Sequence, residues 1–121
     1  MSAPNLANIS TITAKSVQAA LTTTLTTEIL ANASSSNKVF KINNIIVANI
    51  DGTNAADASV AITKSGGSPV MIASTVSVPA DATLVVVDKN TALYLEEGDN
   101  IESGAGAASD LTITINYEEL S

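Results

Sequence analysis

The sequence predicts an all-β domain, an antiparallel β-sandwich or jelly roll of about eight strands. Three observations carry that prediction. Val, Ile and Thr recur in short runs whose apolar side chains fall at alternate positions, the two-residue period of a strand. Clusters of Gly, Asn, Asp, Ser and Pro punctuate the chain between those runs, as turns between short strands do. The alternation of strand and helix that marks a parallel sheet is missing.

The totals narrow the class further. At 121 residues the chain is the size of one domain. A chain this long buries roughly two-thirds of its unfolded surface, enough for a core without metals or disulfides. It contains no Cys, His, Trp or Arg. The opening residues, Met-Ser-Ala-Pro-Asn, lack the charged and apolar regions of a signal peptide. No apolar run approaches the ~20 residues of a membrane span. The net charge is −7, unevenly placed: residues 1–80 balance at +1 and residues 81–121 at −8. Nucleic-acid binders need a basic stripe to neutralise phosphates, and anionic membranes ask for the same, so neither partner is expected.

Taken in order, residues 1–13 read as an N-terminal arm or short first strand, because Pro4 and Asn5 oppose regular structure. Residues 14–121 read as the single β-sandwich domain. Within 14–33, Val17, Leu21, Leu25 and Ile29 are spaced by four, which suits a helix face, but all are odd-numbered and also suit a strand. The Thr-rich run 22–27 favours the strand, since consecutive β-branched residues lose side-chain freedom in a helix. A bend or bulge is expected near 23–26.

After a polar loop at 32–37, residues 39–50 form the predicted central strand, with Phe40, Ile42, Ile46 and Ile50 on one buried face. Asp51-Gly52-Thr53-Asn54 is a strong turn signal. Residues 58–64 follow as a strand with Ala58, Val60 and Ile62 aligned. Residues 70–78 place Val70, Ile72, Val76 and Val78 on one side, and Pro79 ends the run. The continuous apolar stretch 84–87 predicts a strand buried on both faces. Leu93 and Leu95 flank Tyr94, which is thereby turned to the opposite side. Glu97-Gly98-Asp99 predicts a tight turn into 100–103, and 104–110 a small flexible loop. Residues 111–117 alternate cleanly, with Leu111, Ile113, Ile115 and Tyr117 inward.

Chemistry is hard to place on this chain. Acid–base catalysis draws on His or on a carboxylate of shifted pKa, and a Ser or Thr nucleophile needs a base. There is no His, the carboxylates fall at predicted turns, and the only basic side chains are five Lys. Glu96 and Glu97 are adjacent and would point apart on a strand. The chain is therefore not expected to be an enzyme or to hold a cofactor. Asp51, Asn54 and Asp57 offer oxygen ligands of the kind Ca²⁺ takes, but without the ordered spacing of a calcium loop, so they read as a solvated turn and no metal is expected. The hydroxyls of 22–27, Thr112 and Thr114 could array as on an ice- or sugar-binding face, although aromatic platforms are scarce. The candidate interaction residues are Tyr94, Glu96, Glu97 and Asp99: an aromatic of the type favoured at interface centres, beside an acidic patch whose plainer reading is a solvated hairpin end.

Three stretches together resemble a known family. They are residues 38–53, Lys-Val-Phe-Lys-Ile-Asn-Asn-Ile-Ile-Val-Ala-Asn-Ile-Asp-Gly-Thr; residues 78–89, Val-Pro-Ala-Asp-Ala-Thr-Leu-Val-Val-Val-Asp-Lys; and residues 93–101, Leu-Tyr-Leu-Glu-Glu-Gly-Asp-Asn-Ile, followed by the ending Ile115-Asn-Tyr-Glu-Glu-Leu120. In this order they resemble small virion structural proteins of tailed phages, notably marine phages of cyanobacteria, across about residues 38–121. The Leu93 to Ile101 pattern also resembles late strands of jelly-roll domains that form trimers. The resemblance implies a place in the virion, assembled in the host cytoplasm, with no catalytic residues. The expectation that follows is a head decoration (cement) protein binding the major capsid protein or other virion proteins, and itself as a homo-oligomer, a trimer for preference. The alternatives are a neck, tail or fibre component, or a carbohydrate-binding adhesion module.

Overall fold

Nine strands form in a computed structural model that describes residues 5–25 and 28–121. They are β1 (Ile12–Ala20), β2 (Glu28–Ala31), β3 (Val39–Asn49), β4 (Ala56–Thr63), β5 (Val70–Val78), β6 (Thr83–Val87), β7 (Leu93–Leu95), β8 (Asn100–Ala105) and β9 (Leu111–Leu120). One sheet runs β1-β9-β3-β6, with β7 also paired to β3, and the other runs β2-β8-β4-β5. All pairings are antiparallel. The first strand thus lies beside the last and the second beside the second-last, the wrapped double hairpin of a jelly roll. The two inner faces pack into one core built from Phe40, Ile42, Ile45 and Val47 of β3, Ile113 and Ile115 of β9, and Ala58, Val60 and Ile101 opposite.

β9 follows its sequence pattern. Leu111, Ile113, Ile115 and Tyr117 are all buried, and the strand runs three residues further, to Leu120. Tyr117 meets Phe40 with ring centroids 5.1 Å apart, a tilted aromatic pair at one end of the core.

β3 departs from its expected face. Phe40 and Ile42 are buried, but the register against β9 shifts between Ile42 and Asn44, so Asn43 is an extra residue. A one-residue insertion turns every later side chain to the other face. Beyond it Ile45, Val47 and Asn49 point inward, Ile46 is only half-buried, and Ile50 is 62% exposed.

Two further expectations are corrected at the sheet edges. β5 has the predicted bounds, but its register against β4 shifts twice and Thr75 takes a φ of 47°. Its apolar row is broken: Val78 is buried, while Val70, Ile72 and Val76 are exposed. β6 is not buried on both faces. It is an edge strand in which Leu84 and Val86 pack on the core and Val85 is 55% exposed.

The ambiguous stretch 14–33 contains two strands and no helix among its described residues. β1 and β2 lie in different sheets, joined by residues 21–27, of which Thr26 and Thr27 lie outside the described residues. Leu21 is buried in the core as the chain changes sheets. Gly104 on β8 makes that crossing possible: a Cβ there would stand 2.8 Å from Leu25 Cα and 2.9 Å from its N. β1 itself begins at Ile12, preceded by a single 3-10 turn, Leu6–Asn8, capped by Asn5.

Two buried asparagines hold the loops at the ends of the sandwich. Asn32 donates from Nδ2 to the carbonyls of Lys38 (2.8 Å) and Leu95 (3.1 Å) and accepts from Ser36 Oγ. Asn49 donates to the carbonyls of Asn54 and Val78, both at 2.9 Å, and accepts from Asp51 N. Buried amides satisfied at both ends fix loop geometry where apolar contacts are thin.

Candidate interaction surface

Among the described residues nothing covers the outer face of the first sheet, and the register defines what lies on it. Residues paired across strands share a face, so the rows read Tyr94–Lys41–Glu118–Ala14, then Asn44–Asn116–Ser16, then Val85–Ile46–Thr114–Gln18, then Thr83–Ala48–Thr112–Ala20. Lys41 and Glu118, opposite each other, are the only charges in these rows. The rest is a mixture of hydroxyl, amide and aliphatic groups. Asn116 donates to Asn44 Oδ1 at 2.7 Å, so the middle row is partly satisfied within the sheet. An open recess of 360 Å³ lies over Ala14, Ser16, Asn43 and Asn116. Thr112 and Thr114 do fall on this face, whereas the residues around Thr22–Leu25 cross to the other sheet.

Tyr94 sits at the corner of this surface, on the three-residue strand β7, and is 45% exposed. Leu95 beside it is fully buried, as alternation requires. The acidic residues that follow do not form one solvated patch. Asp99 is 2% exposed and acts as the hub of the turn. Its Oδ1 accepts from Ser65 N at 3.0 Å, and its Oδ2 from Glu96 N at 2.9 Å and Lys64 Nζ at 2.6 Å. Lys64 also donates to Glu96 at 2.9 Å. These two bonds, Asp99's first, hold the Lys64 ammonium pKa above its ordinary value of 10.5. Glu97 accepts from Asn37 N at 3.0 Å. Gly98, with a φ of 85°, closes the turn against Ser65, where a Cβ would come within 2.7 Å. Of the four candidates, then, Tyr94 presents free surface, Glu96 is exposed but paired with Lys64, Glu97 joins two loops, and Asp99 is an internal brace.

A second charged knot ties the chain ends. Glu119 on β9 receives Lys38 at 3.0 Å and Lys15 at 3.2 Å. Burial pushes its pKa up, but the two lysines together outweigh that and leave it below 4.5. Burial pushes the Tyr117 hydroxyl above 10.0, with the Glu119 charge adding to it.

Elsewhere the side chains serve structure. Asp51 Oδ1 accepts from Thr53 N (2.8 Å) and Asn54 N (3.3 Å), and these backbone bonds lower its pKa. Its carboxylate is thus occupied by its own turn. Among the described residues no three carboxylates come together in a geometry that could hold a metal ion. Ser35 stands three residues before Lys38, a Ser-x-x-Lys spacing, but it lies in a loop at φ 61° and Lys38 is bound to Glu119. A pocket of 210 Å³ on the second sheet is lined by Thr23, Leu25, Asp57, Ser59, Thr75 and Gly106, with Asp57 its one titratable group.

Sequence reasoning missed Lys64, Asn32 and Asn49. Each lay in a segment read as a strand end or polar loop, and each reaches at least one partner far away in sequence: Glu96 and Asp99 for Lys64, Leu95 for Asn32 and Val78 for Asn49. The Gly98-Asp99 pair was the one available signal, since an Asp directly after a turn glycine is placed to accept from the turn's own N–H groups. No protein-family model matches the chain, and no curated protein matches it.

Proposed function

We propose that this chain is a structural protein of a tailed-phage virion, and within it a head decoration protein that binds the outer surface of the major capsid protein lattice and stabilises it. The observation that carries the reading is the open outer face of the first sheet. It is four strands wide and almost free of charge, the character of a surface that meets another protein over many modest contacts. The stretches that resemble phage virion proteins include β3, β6 and β7 whole and residues 115–120 of β9, all in this sheet, with the first two residues of β8 in the other.

Such a role needs no reacting groups. It needs a stable fold and contacts repeated over a lattice, where many copies compensate for weak individual affinity. Trp and Arg, the strongest single anchors, are missing from the chain, which leaves Tyr94 as the aromatic contact on this face.

Co-sedimentation of the purified chain with shells of the major capsid protein tests the reading. Saturable binding that is weakened by Thr114→Lys on the open face supports it. Shells that sediment without the chain refute it. Binding confined to isolated necks, tails or fibres moves the protein there, and binding to host-surface glycans that is lost with Tyr94→Ala makes it an adhesion module.

A further inference from the structure

The four sheet edges are guarded unequally. An exposed edge strand offers unpaired N–H and C=O groups to any passing strand, and native proteins blunt it by shortness, bulges, charge or proline. β2 has four residues and carries Glu28. β5 is kinked by two register shifts and Thr75. The edge opposite β1 is split into β6 and β7, of five and three residues, with the 3-10 turn Lys89–Thr91 between them. β1 has none of these devices. It runs nine residues in unbroken register with β9, from Ile12↔Leu120 to Ala20↔Thr112, without proline. Its one charge, Lys15, lies 3.2 Å from Glu119 and is drawn back over its own sheet.

The hydrogen-bond phase shows which groups face outward. Thr11 and Ser121 exchange both bonds, N to O at 2.9 and 3.0 Å, and Leu21 N donates to Leu111 O at 2.8 Å. Bonded pairs alternate along an antiparallel ladder, so the odd residues of β1 bond to β9. Ile12, Ala14, Ser16, Gln18 and Ala20 therefore direct their N–H and C=O groups to the free edge, where among the described residues no strand meets them.

We propose that β1 is an interface strand that pairs antiparallel with β1 of a second copy of this chain, about a two-fold axis at Ser16, joining the two first sheets into one. In that register Ser16 meets Ser16 of the copy, Ala14 meets Gln18, and Ile12 meets Ala20, so every outward group is used. Lys15 falls opposite Val17, and Glu118 lines up with Ala14 and the copy's Gln18, so no like charges are opposed. The strand is self-complementary, which an isologous interface requires, and the guarded edges at the far sides close the assembly at two chains. Pairing also brings the two open faces into one continuous surface.

The interface stands apart from the shell reading, because the isolated chain tests it. Sedimentation equilibrium of the full chain is expected to give twice the 12.2 kDa chain mass. Ser16→Pro removes an N–H that the monomer does not use, and Ser16→Lys sets two ammonium groups against each other on the axis. Both variants are expected to lose the dimer and keep the β-rich circular dichroism spectrum; if one fails to fold, the other decides. Amide exchange gives a second reading. The Ala14, Ser16 and Gln18 amides are expected to slow with rising protein concentration, while Lys15 and Val17, bonded to β9, stay slow throughout. A single chain at all concentrations, a three-chain mass, open-ended aggregation, or a dimer that persists in the folded variants overturns the proposal.

Discussion

Replacing Asp99 should unlock the turn that holds the β7–β8 end of the sandwich. Asp99→Ala removes an acceptor from two backbone donors, Ser65 N at 3.0 Å and Glu96 N at 2.9 Å, and from Lys64 Nζ at 2.6 Å. Hydrogen bonds to a charged acceptor contribute about 1.5–3 kcal/mol each. Ser65 and Glu96 are exposed, so water can reach the freed N–H groups and the low end applies to both. Lys64 is half exposed, and its ion pair adds less than about 1 kcal/mol. The sum is about 3–4 kcal/mol, or roughly 10–15 °C in Tm for a domain of this size. Asp99→Asn keeps the shape and one acceptor, and should cost about half as much. Glu96→Gln should stay within about 0.5 kcal/mol, because that side chain is open to solvent. Urea titrations of the three variants, followed by circular dichroism, measure the differences. If Asp99→Ala costs no more than Glu96→Gln, the brace assigned to Asp99 does not exist.

Three other outcomes follow from the geometry. Gly104→Ala drives a methyl group into the Leu25 backbone at 2.8 Å and should cost about 1–3 kcal/mol, with faster protease cleavage near Thr22–Leu25 than in the parent protein. Ile115→Ala empties a fully buried site between the sheets and should cost about 2–5 kcal/mol by denaturant titration, whereas Ile50→Ala, outside the core, should change little. Stability should also fall at both ends of the pH scale. The Glu119 pKa is lowered by folding, so its contribution is present above about 4.5 and lost as pH drops through the lower folded value; the Lys64 and Tyr117 pKa values are raised, so theirs are present below about 10 and lost as pH climbs. Glu119→Gln should flatten the acid limb in a series of Tm measurements and, by removing the charge that adds to the raised Tyr117 pKa, make the alkaline limb slightly shallower.

How much of this was legible in the sequence depended on whether the strand pattern ran undisturbed. The faces of β9 were read correctly because nine of its ten residues pair on both sides, with its one register shift taken up by the partner strand. The ends of β5 were readable from Gly and Pro, but not its faces, since nothing in Val-Met-Ile-Ala-Ser-Thr-Val announces where a bulge will fall. In β3 the inserted Asn43 looks like any other strand residue, yet it decides whether Ile45 or Ile46 is buried. β6 looked central because four apolar residues stand in a row; a strand's place in the sheet is set by chain topology, which a local run does not encode. The interaction residues were legible as a cluster in sequence only. Asp99 turned inward because Lys64 and Ser65, more than thirty residues away, complete its coordination, and such long-range partners leave no local trace.

In the proposed role this jelly roll is a repeated structural part of a particle. The most direct measurement is its copy number in purified virions, by quantitative mass spectrometry against the major capsid protein. A part spread over a symmetric shell is expected at about one copy for every one to three capsid subunits. A few copies per hundred subunits, or none, would contradict it.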